Sequence, residues 1–244
     1  MISIAVHSYK GGTGKTNVCI NLAAHAAISG KKVCILELDL DAPNLHNLFK
    51  NDKGKWINDY LEGRVNLDDV LVDASRAAGK KKIEMKIALA NPSIDAVRRN
   101  MSADRNQQLL ALKRLMAARQ SLEKFDYVFI DTSPGVNYSS INAVLSADRI
   151  VLISRPDTFD IDGTKRMLSE FYGGLQKKAG LVINRAVGED GGAAAKSIDM
   201  PLLSIIPCYC ELAHNRSNGI FIADNPKHEF AGHISKILER TLLL

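Results

Sequence analysis

The stretch Tyr9-Lys10-Gly11-Gly12-Thr13-Gly14-Lys15-Thr16 constrains this chain more than any other. It follows the apolar run Ile2-Ser3-Ile4-Ala5-Val6, which reads as a buried strand. It precedes Asn17-Val18-Cys19-Ile20-Asn21-Leu22-Ala23-Ala24, which reads as a helix. A strand, a glycine-rich loop, Lys-Thr and a helix form the geometry that holds a nucleotide's phosphates. Glycines let backbone N–H groups approach the anion, and the helix N-terminus adds a favourable dipole. Lys15 supplies a point charge near the β- and γ-phosphates, and Thr16 offers a hydroxyl to Mg²⁺. Gly11, Gly12, Thr13, Gly14 and Asn17 complete the expected phosphate cradle.

The rest of the chain repeats the alternation. Expected strands lie at 2–7, 33–39, 83–90, 126–131, 149–155, 180–184 and 202–206, and expected helices at 15–29, 104–124, 139–147, 161–178 and 227–243. Strands this apolar, separated by helices, argue for a mostly parallel, doubly wound α/β sheet covered on both faces, with ligands at the carboxyl ends of its strands. At 244 residues and 46% hydrophobic content, residues 1–244 read as one domain with a sizeable core. No apolar run reaches the ~18 residues of a membrane-spanning helix, and the first residues do not read as a signal peptide. Four scattered cysteines do not make a disulfide scaffold, and a cytoplasmic protein is expected. Residues 50–80 are the least legible segment, with short helical patterns around 56–61 and 67–71. Gly188-Glu189-Asp190-Gly191-Gly192 reads as a surface loop.

Two further segments carry carboxylates to strand ends. Val33–Leu38 runs into Asp39-Leu40-Asp41, whose i and i+2 side chains point the same way on a strand. Phe125-Asp126-Tyr127-Val128-Phe129-Ile130-Asp131 is an apolar strand closing on Asp131, which suits a Walker B carboxylate facing the Mg²⁺ shell.

The second lysine of the loop, Lys10, makes it KGGTGKT. On this motif, the DxD at 39–41 and Asp131-Thr132-Ser133-Pro134-Gly135, the chain resembles the ParA/MinD family of signature-lysine P-loop ATPases over essentially its whole length. The resemblance implies that Lys10 reaches across a dimer interface to the other subunit's nucleotide. It makes 39–41 the first switch segment, with Asp41 orienting the attacking water and Asp39 near Mg²⁺. The second switch would be Asp131, Pro134 and Gly135, with Ser133 in place of a usual proline. An Asn ending a later strand reads adenine in the family, which selects Asn184, followed by Arg185, with Pro207 closing on the other side of the base. Lys10, Lys15 and Asp41 would then carry hydrolysis, with ATP and Mg²⁺ as nucleotide and metal. The implied function is an ATP-dependent dimerisation switch for partitioning or positioning, working as a homodimer with an activating protein partner.

Two alternatives come from other residues. Cys208-Tyr209-Cys210 puts two thiols one residue apart, which in a dimer would supply four sulfurs for a metal or iron–sulfur maturation ATPase. The net charge of +5 is clustered at Lys80-Lys81-Lys82, Arg98-Arg99, Lys113-Arg114 with Arg119, and Lys177-Lys178. Such clusters suit a solvated surface, or non-specific DNA or an anionic membrane gated by nucleotide. The last helix has one apolar face and is expected to pack on the sheet rather than on a lipid surface.

Overall fold

A computed structural model describes residues 1–78, 83–214 and 219–244. Its strands are β1 (Ile2–His7), β2 (Val33–Leu38), β3 (Leu71–Asp73), β4 (Met85–Ala88), β5 (Tyr127–Thr132), β6 (Arg149–Ser154), β7 (Lys178–Ala186) and β8 (Leu202–Pro207). Its helices are α1 (Lys15–Ile28), α2 (Ile57–Leu61), α3 (Leu67–Val70), α4 (Ile94–Met101), α5 (Arg105–Leu122), α6 (Tyr138–Ser146), α7 (Thr158–Glu170), α8 (Asp190–Ser197), α9 (Cys210–His214), α10 (Phe221–Asp224) and α11 (Glu229–Leu243). The strands form one sheet in the order β3-β4-β2-β5-β1-β6-β7-β8. Every pairing is parallel except β3 with β4.

Alternation within the strands explains why both faces are covered. Ile4 and Val6 of β1, Val33 and Ile35 of β2 and Phe129 of β5 point to the face carrying α1, α10 and α11. Ala5, Cys34, Leu36, Val128 and Ile130 point to the other face, under α2, α3, α5 and α6. Apolar residues at both parities leave neither face able to meet water, so each side recruits a helical layer. On the first layer α11 buries Phe230, Ile234, Ile237 and Leu238 against β8 and α1, as its one-sided pattern predicts.

Local chemistry sets several boundaries. Asp104 and Gln107 cap α5 reciprocally, each side chain accepting from the other's backbone N–H at 2.8 Å. Gly30, at φ 84°, closes α1, its N–H donating to Ala27 O at 3.0 Å. The helix expected over 161–178 instead spans 158–170: Asp157 caps its start, accepting from Asp160 N at 3.1 Å, and β7 already begins at Lys178. The loop expected at 188–192 contains the start of α8, and Leu71, taken with a helical pattern, opens the antiparallel edge strand β3.

Candidate functional site

The sheet order places the ends of β2, β5 and β1 side by side, with Glu37 and Val6 both in register with Asp131. The glycine loop leaves β1 and enters α1 through Gly12 and Gly14, at φ 74° and 95°. Only glycine takes this left-handed backbone without strain. A side chain on Gly14 would also collide with the Asn184 amide. Lys15, 6% exposed, opens α1 and faces the carboxylates of Asp131 and Asp39.

Thr16 Oγ1 donates to Asp131 Oδ2 at 2.8 Å. The other oxygen of this fully buried carboxylate, Oδ1, has no hydrogen-bond partner among the described residues. Burial raises Asp131 from 3.8 to about 7, against the pull of Lys15 and of the Thr16 hydroxyl. Asp39 is raised as well, again mainly by burial, with Lys15 opposing; its Oδ1 accepts from Ala42 N at 3.3 Å. A buried carboxylate oxygen without a donor, beside a threonine hydroxyl and a second carboxylate, is a donor set that fits a hard divalent cation. Thr16, Asp39 and Asp131 are therefore the residues able to hold Mg²⁺.

Asp41 lies at the rim. Its Oδ1 accepts from Asn100 Nδ2 at 2.7 Å, and the same amide nitrogen donates to Ser139 Oγ at 3.3 Å. Asn100, at the end of α4, thus joins the 39–41 segment to the start of α6, and sequence reasoning missed it. Glu37 fixes the far end of that segment. Its fully buried carboxylate accepts from Asn44 N at 2.9 Å, Leu45 N at 2.8 Å and Ala90 N at 2.8 Å. Burial still raises its pKa despite the three donors.

Residues 131–135 are tied to the end of β1 and to α6. Gly135 N donates to Ser8 O at 2.8 Å, and Gly135 O accepts from Ser140 Oγ at 2.6 Å and from His7 Nε2 at 2.9 Å. A carbonyl only accepts, so His7 Nε2 carries the hydrogen and Nδ1 accepts from the Tyr172 hydroxyl, 2.7 Å away. His7 is fully buried, and burial lowers it from 6.5 to about 4. Its only sequence signal was a histidine closing an apolar strand immediately before the loop. Ser133, at the family's proline position, donates to Leu38 O at 3.4 Å and so ties the end of β5 to the end of β2.

Lys10 leans on its own subunit. Its ammonium lies 3.9 Å from Asp157 Oδ1 and 5.1 Å from the Phe159 ring centroid, and that ring is 78% exposed. Behind the loop, Gly14, Asn17, Asn184, Arg185, Pro207 and Cys208 line a cavity of ≈ 280 Å³. The residues expected around a base are thus together. Asn184 Nδ2 donates to Thr13 O at 2.7 Å and its Oδ1 accepts from Arg185 N at 3.0 Å. One amide hydrogen and one lone pair remain. Cys208 and Cys210 are exposed and in no disulfide, and no third His, Cys, Asp or Glu joins them in a metal-binding group among the described residues.

Part of the basic surface is internally used. Arg119 pairs with Asp148 at 2.7 Å, Lys177 donates to Leu145 O and Ala147 O at 2.8 and 2.7 Å, and Arg114 lies over the Tyr60 ring. Arg98, Arg99 and Lys113 are exposed, whereas Lys80-Lys81-Lys82 lie outside the described residues. No helix among the described residues is long and apolar enough to cross a membrane.

A family model described as AAA domain matches residues 1–181. The chain belongs to the ParA/MinD family of P-loop ATPases. Septum site-determining protein MinD of Thermotoga maritima is 29% identical over 75% of this chain and 63% of its own length. Sporulation initiation inhibitor protein Soj of Bacillus subtilis is 27% identical over 68% of this chain, again covering 63% of the relative. The chain thus spans under two thirds of both of these relatives. MinD of Pyrococcus horikoshii, solved with Mg-ADP, superposes with a TM-score of 0.78 at 24% identity, covering 98% of this chain and 95% of that one. This last likeness is one of fold. It accounts for the doubly wound sheet.

Proposed function

We propose that this chain is a Mg²⁺-dependent ATPase of one domain over residues 1–244, whose ATP-bound form closes into a face-to-face homodimer that positions or partitions a cargo. One observation carries the reading: Lys15, Thr16, Asp39 and the unsatisfied oxygen of Asp131 converge at the mouth of a glycine loop. Mg²⁺, when bound, would supply positive charge that offsets the charge of the phosphates. The loop amides and Lys15 hold the phosphates, and Thr16, Asp39 and Asp131 hold the metal and its waters. Asn184, Arg185 and Pro207 enclose the base. Asp41 would orient the attacking water and take its proton as the water oxygen bonds to the γ-phosphorus and ADP leaves with the electrons of the broken bond. Pro134 and Gly135 would sense the γ-phosphate, with Gly135 held in place by its Ser8, Ser140 and His7 contacts.

Lys10 supplies the coupling between nucleotide and dimer. Its contacts to Asp157 and Phe159 are solvent-exposed and therefore weak, so the ammonium can be transferred to a partner subunit's phosphates. The apolar side chains of Phe159, Val136, Tyr138 and Met101 are exposed and give a partner surface something to cover. The ATP-bound dimer acts in the cytoplasm, answers to an activating protein partner, and has Arg98, Arg99 and Lys113 available to an anionic surface, whether nucleoid or membrane.

Light scattering of wild type and Lys10→Ala with ATP and with ADP tests this. The variant is expected to bind ATP, because Lys15, Thr16 and the loop amides are intact, yet to stay monomeric where wild type dimerises. ATP-dependent dimerisation equal to wild type would remove Lys10 from the switch, and wild type that ignores ATP would remove the switch itself.

A further inference from the structure

We propose that Cys208 and Cys210 form a thiol-modification site at the rim of the base cavity, where a low-molecular-weight disulfide adds covalently and excludes nucleotide. The inference rests on the base-cavity reading above. Both cysteines are exposed, neither is in a disulfide, and both line the ≈ 280 Å³ space shared with Gly14, Asn17 and Asn184. Cys19 and Cys34 are fully buried, and burial raises both thiols well above their ordinary range. The chain thus separates two accessible thiols from two inert ones, and places the accessible pair beside the nucleotide loop.

The segment carrying the pair is held in place. Cys208 N donates to Ala186 O at 2.9 Å, fixing this backbone to the end of β7, two residues beyond Asn184. Tyr209, between the cysteines, is anchored on α11. Its hydroxyl donates to Glu229 Oε2 at 3.2 Å, and its ring meets those of His228 and Phe230 with centroids 4.8 and 6.4 Å away. With its backbone and central side chain tied down, the segment has little freedom to swing an adduct out of the cavity. A sulfur-linked group the size of an aromatic thiol or a tripeptide therefore competes with the base for the same room.

The chemistry is thiol–disulfide exchange. After losing its proton to solvent, the Cys208 or Cys210 sulfur attacks one sulfur of the reagent's disulfide. A protein–reagent S–S bond forms as the reagent's own S–S bond breaks, and the second half leaves as a thiolate carrying the electron pair. The protein sulfur is oxidised and the reagent reduced. An excess of dithiol runs the exchange backwards. In the cell, the reagent class is an oxidised small thiol.

Full-length protein treated with dithiobis(nitrobenzoate) provides the test. Two thiols are expected to react in the native state and four after denaturation, with peptide mapping placing the native adducts on Cys208 and Cys210. Saturating ADP is expected to slow the native reaction at least several-fold. Labelled protein is expected to lose affinity for a fluorescent ADP analogue by 10-fold or more, and dithiothreitol to restore it. The Cys208→Ser/Cys210→Ser double variant is expected to show the same affinity before and after treatment. Adducts on these cysteines that leave affinity unchanged, or no native labelling at all, overturn the proposal alone. Failure of untreated wild type to bind the analogue overturns the base-cavity reading, and the gate with it.

Discussion

His7→Gln isolates what a buried histidine contributes at the root of the nucleotide loop. In the native protein the ring is fully buried and neutral, donating to Gly135 O at 2.9 Å and accepting from the Tyr172 hydroxyl at 2.7 Å. Unfolded, it takes a proton near 6.5; folded, burial postpones protonation to about 4, with the nearby Lys15 charge acting in the same direction and the Gly135 hydrogen bond against it. The folded pKa lies below the unfolded one, so this stabilisation is complete above pH 6.5 and is lost as pH falls from 6.5 towards 4. At 1.36 kcal/mol per pH unit, the gap corresponds to about 3 kcal/mol. Glutamine keeps a donor for Gly135 O but does not titrate. At pH 7.5 the variant is expected to lose about 1–2 kcal/mol, because the Tyr172 hydroxyl no longer meets the ring nitrogen. Between pH 7.5 and 4 its stability is then expected to fall by about 3 kcal/mol less than that of wild type. Urea unfolding at a series of pH values, followed by far-ultraviolet circular dichroism, measures both terms. The carboxylates titrate in both proteins and cancel in the difference. Parallel stability curves for the two proteins would refute the buried-neutral assignment.

The remaining predictions concern hydrolysis and the core. Asp41→Ala is expected to bind ATP normally and to lower phosphate release on the order of 100-fold; wild-type turnover would move the water-orienting role elsewhere. Asn100→Ala, which removes the donor 2.7 Å from Asp41, is expected to lower kcat on the order of 10-fold with KM and thermal midpoint little changed; a fall in stability matching the fall in rate would make Asn100 merely structural. Phe230→Ala empties the centre of the α11 layer, where the side chain is 1% exposed, and is expected to cost about 3–5 kcal/mol in denaturant unfolding. A cost below 1 kcal/mol would mean that α11 is only loosely docked on the sheet.

Legibility in the sequence followed how local each signal is. The loop at 9–16 declares itself because strand, glycines, Lys-Thr and helix are contiguous, and the structure places all four parts in that order. Asp39 and Asp131 were legible for the same reason, each ending an apolar run. His7 and Asn100 were not, since their partners lie 128 and 59 residues away along the chain and no local pattern distinguishes them. The antiparallel strand β3 was hidden because its three residues follow α3 without a turn, so its pairing with β4 is the only thing that makes it a strand. Glycine misled at 188–192. Gly191 sits in α8 because any side chain there would run into Ala186 and Ile205, a requirement of close packing that composition reports as a loop.

The three backbone donors gathered by Glu37 set the mechanics of residues 39–43. One end of residues 39–43 is continuous with β2, and the other is clamped by Glu37, a residue of that same strand, through Asn44 and Leu45. The segment is a closed staple on a rigid bar. It cannot peel away or refold without uncovering a buried carboxylate, which costs several kcal/mol. Between its two fixed ends the staple carries Asp41, whose Oδ1 accepts from Asn100 Nδ2 at 2.7 Å. A loop stapled in this way can reposition a side chain without rebuilding the secondary structure beneath it.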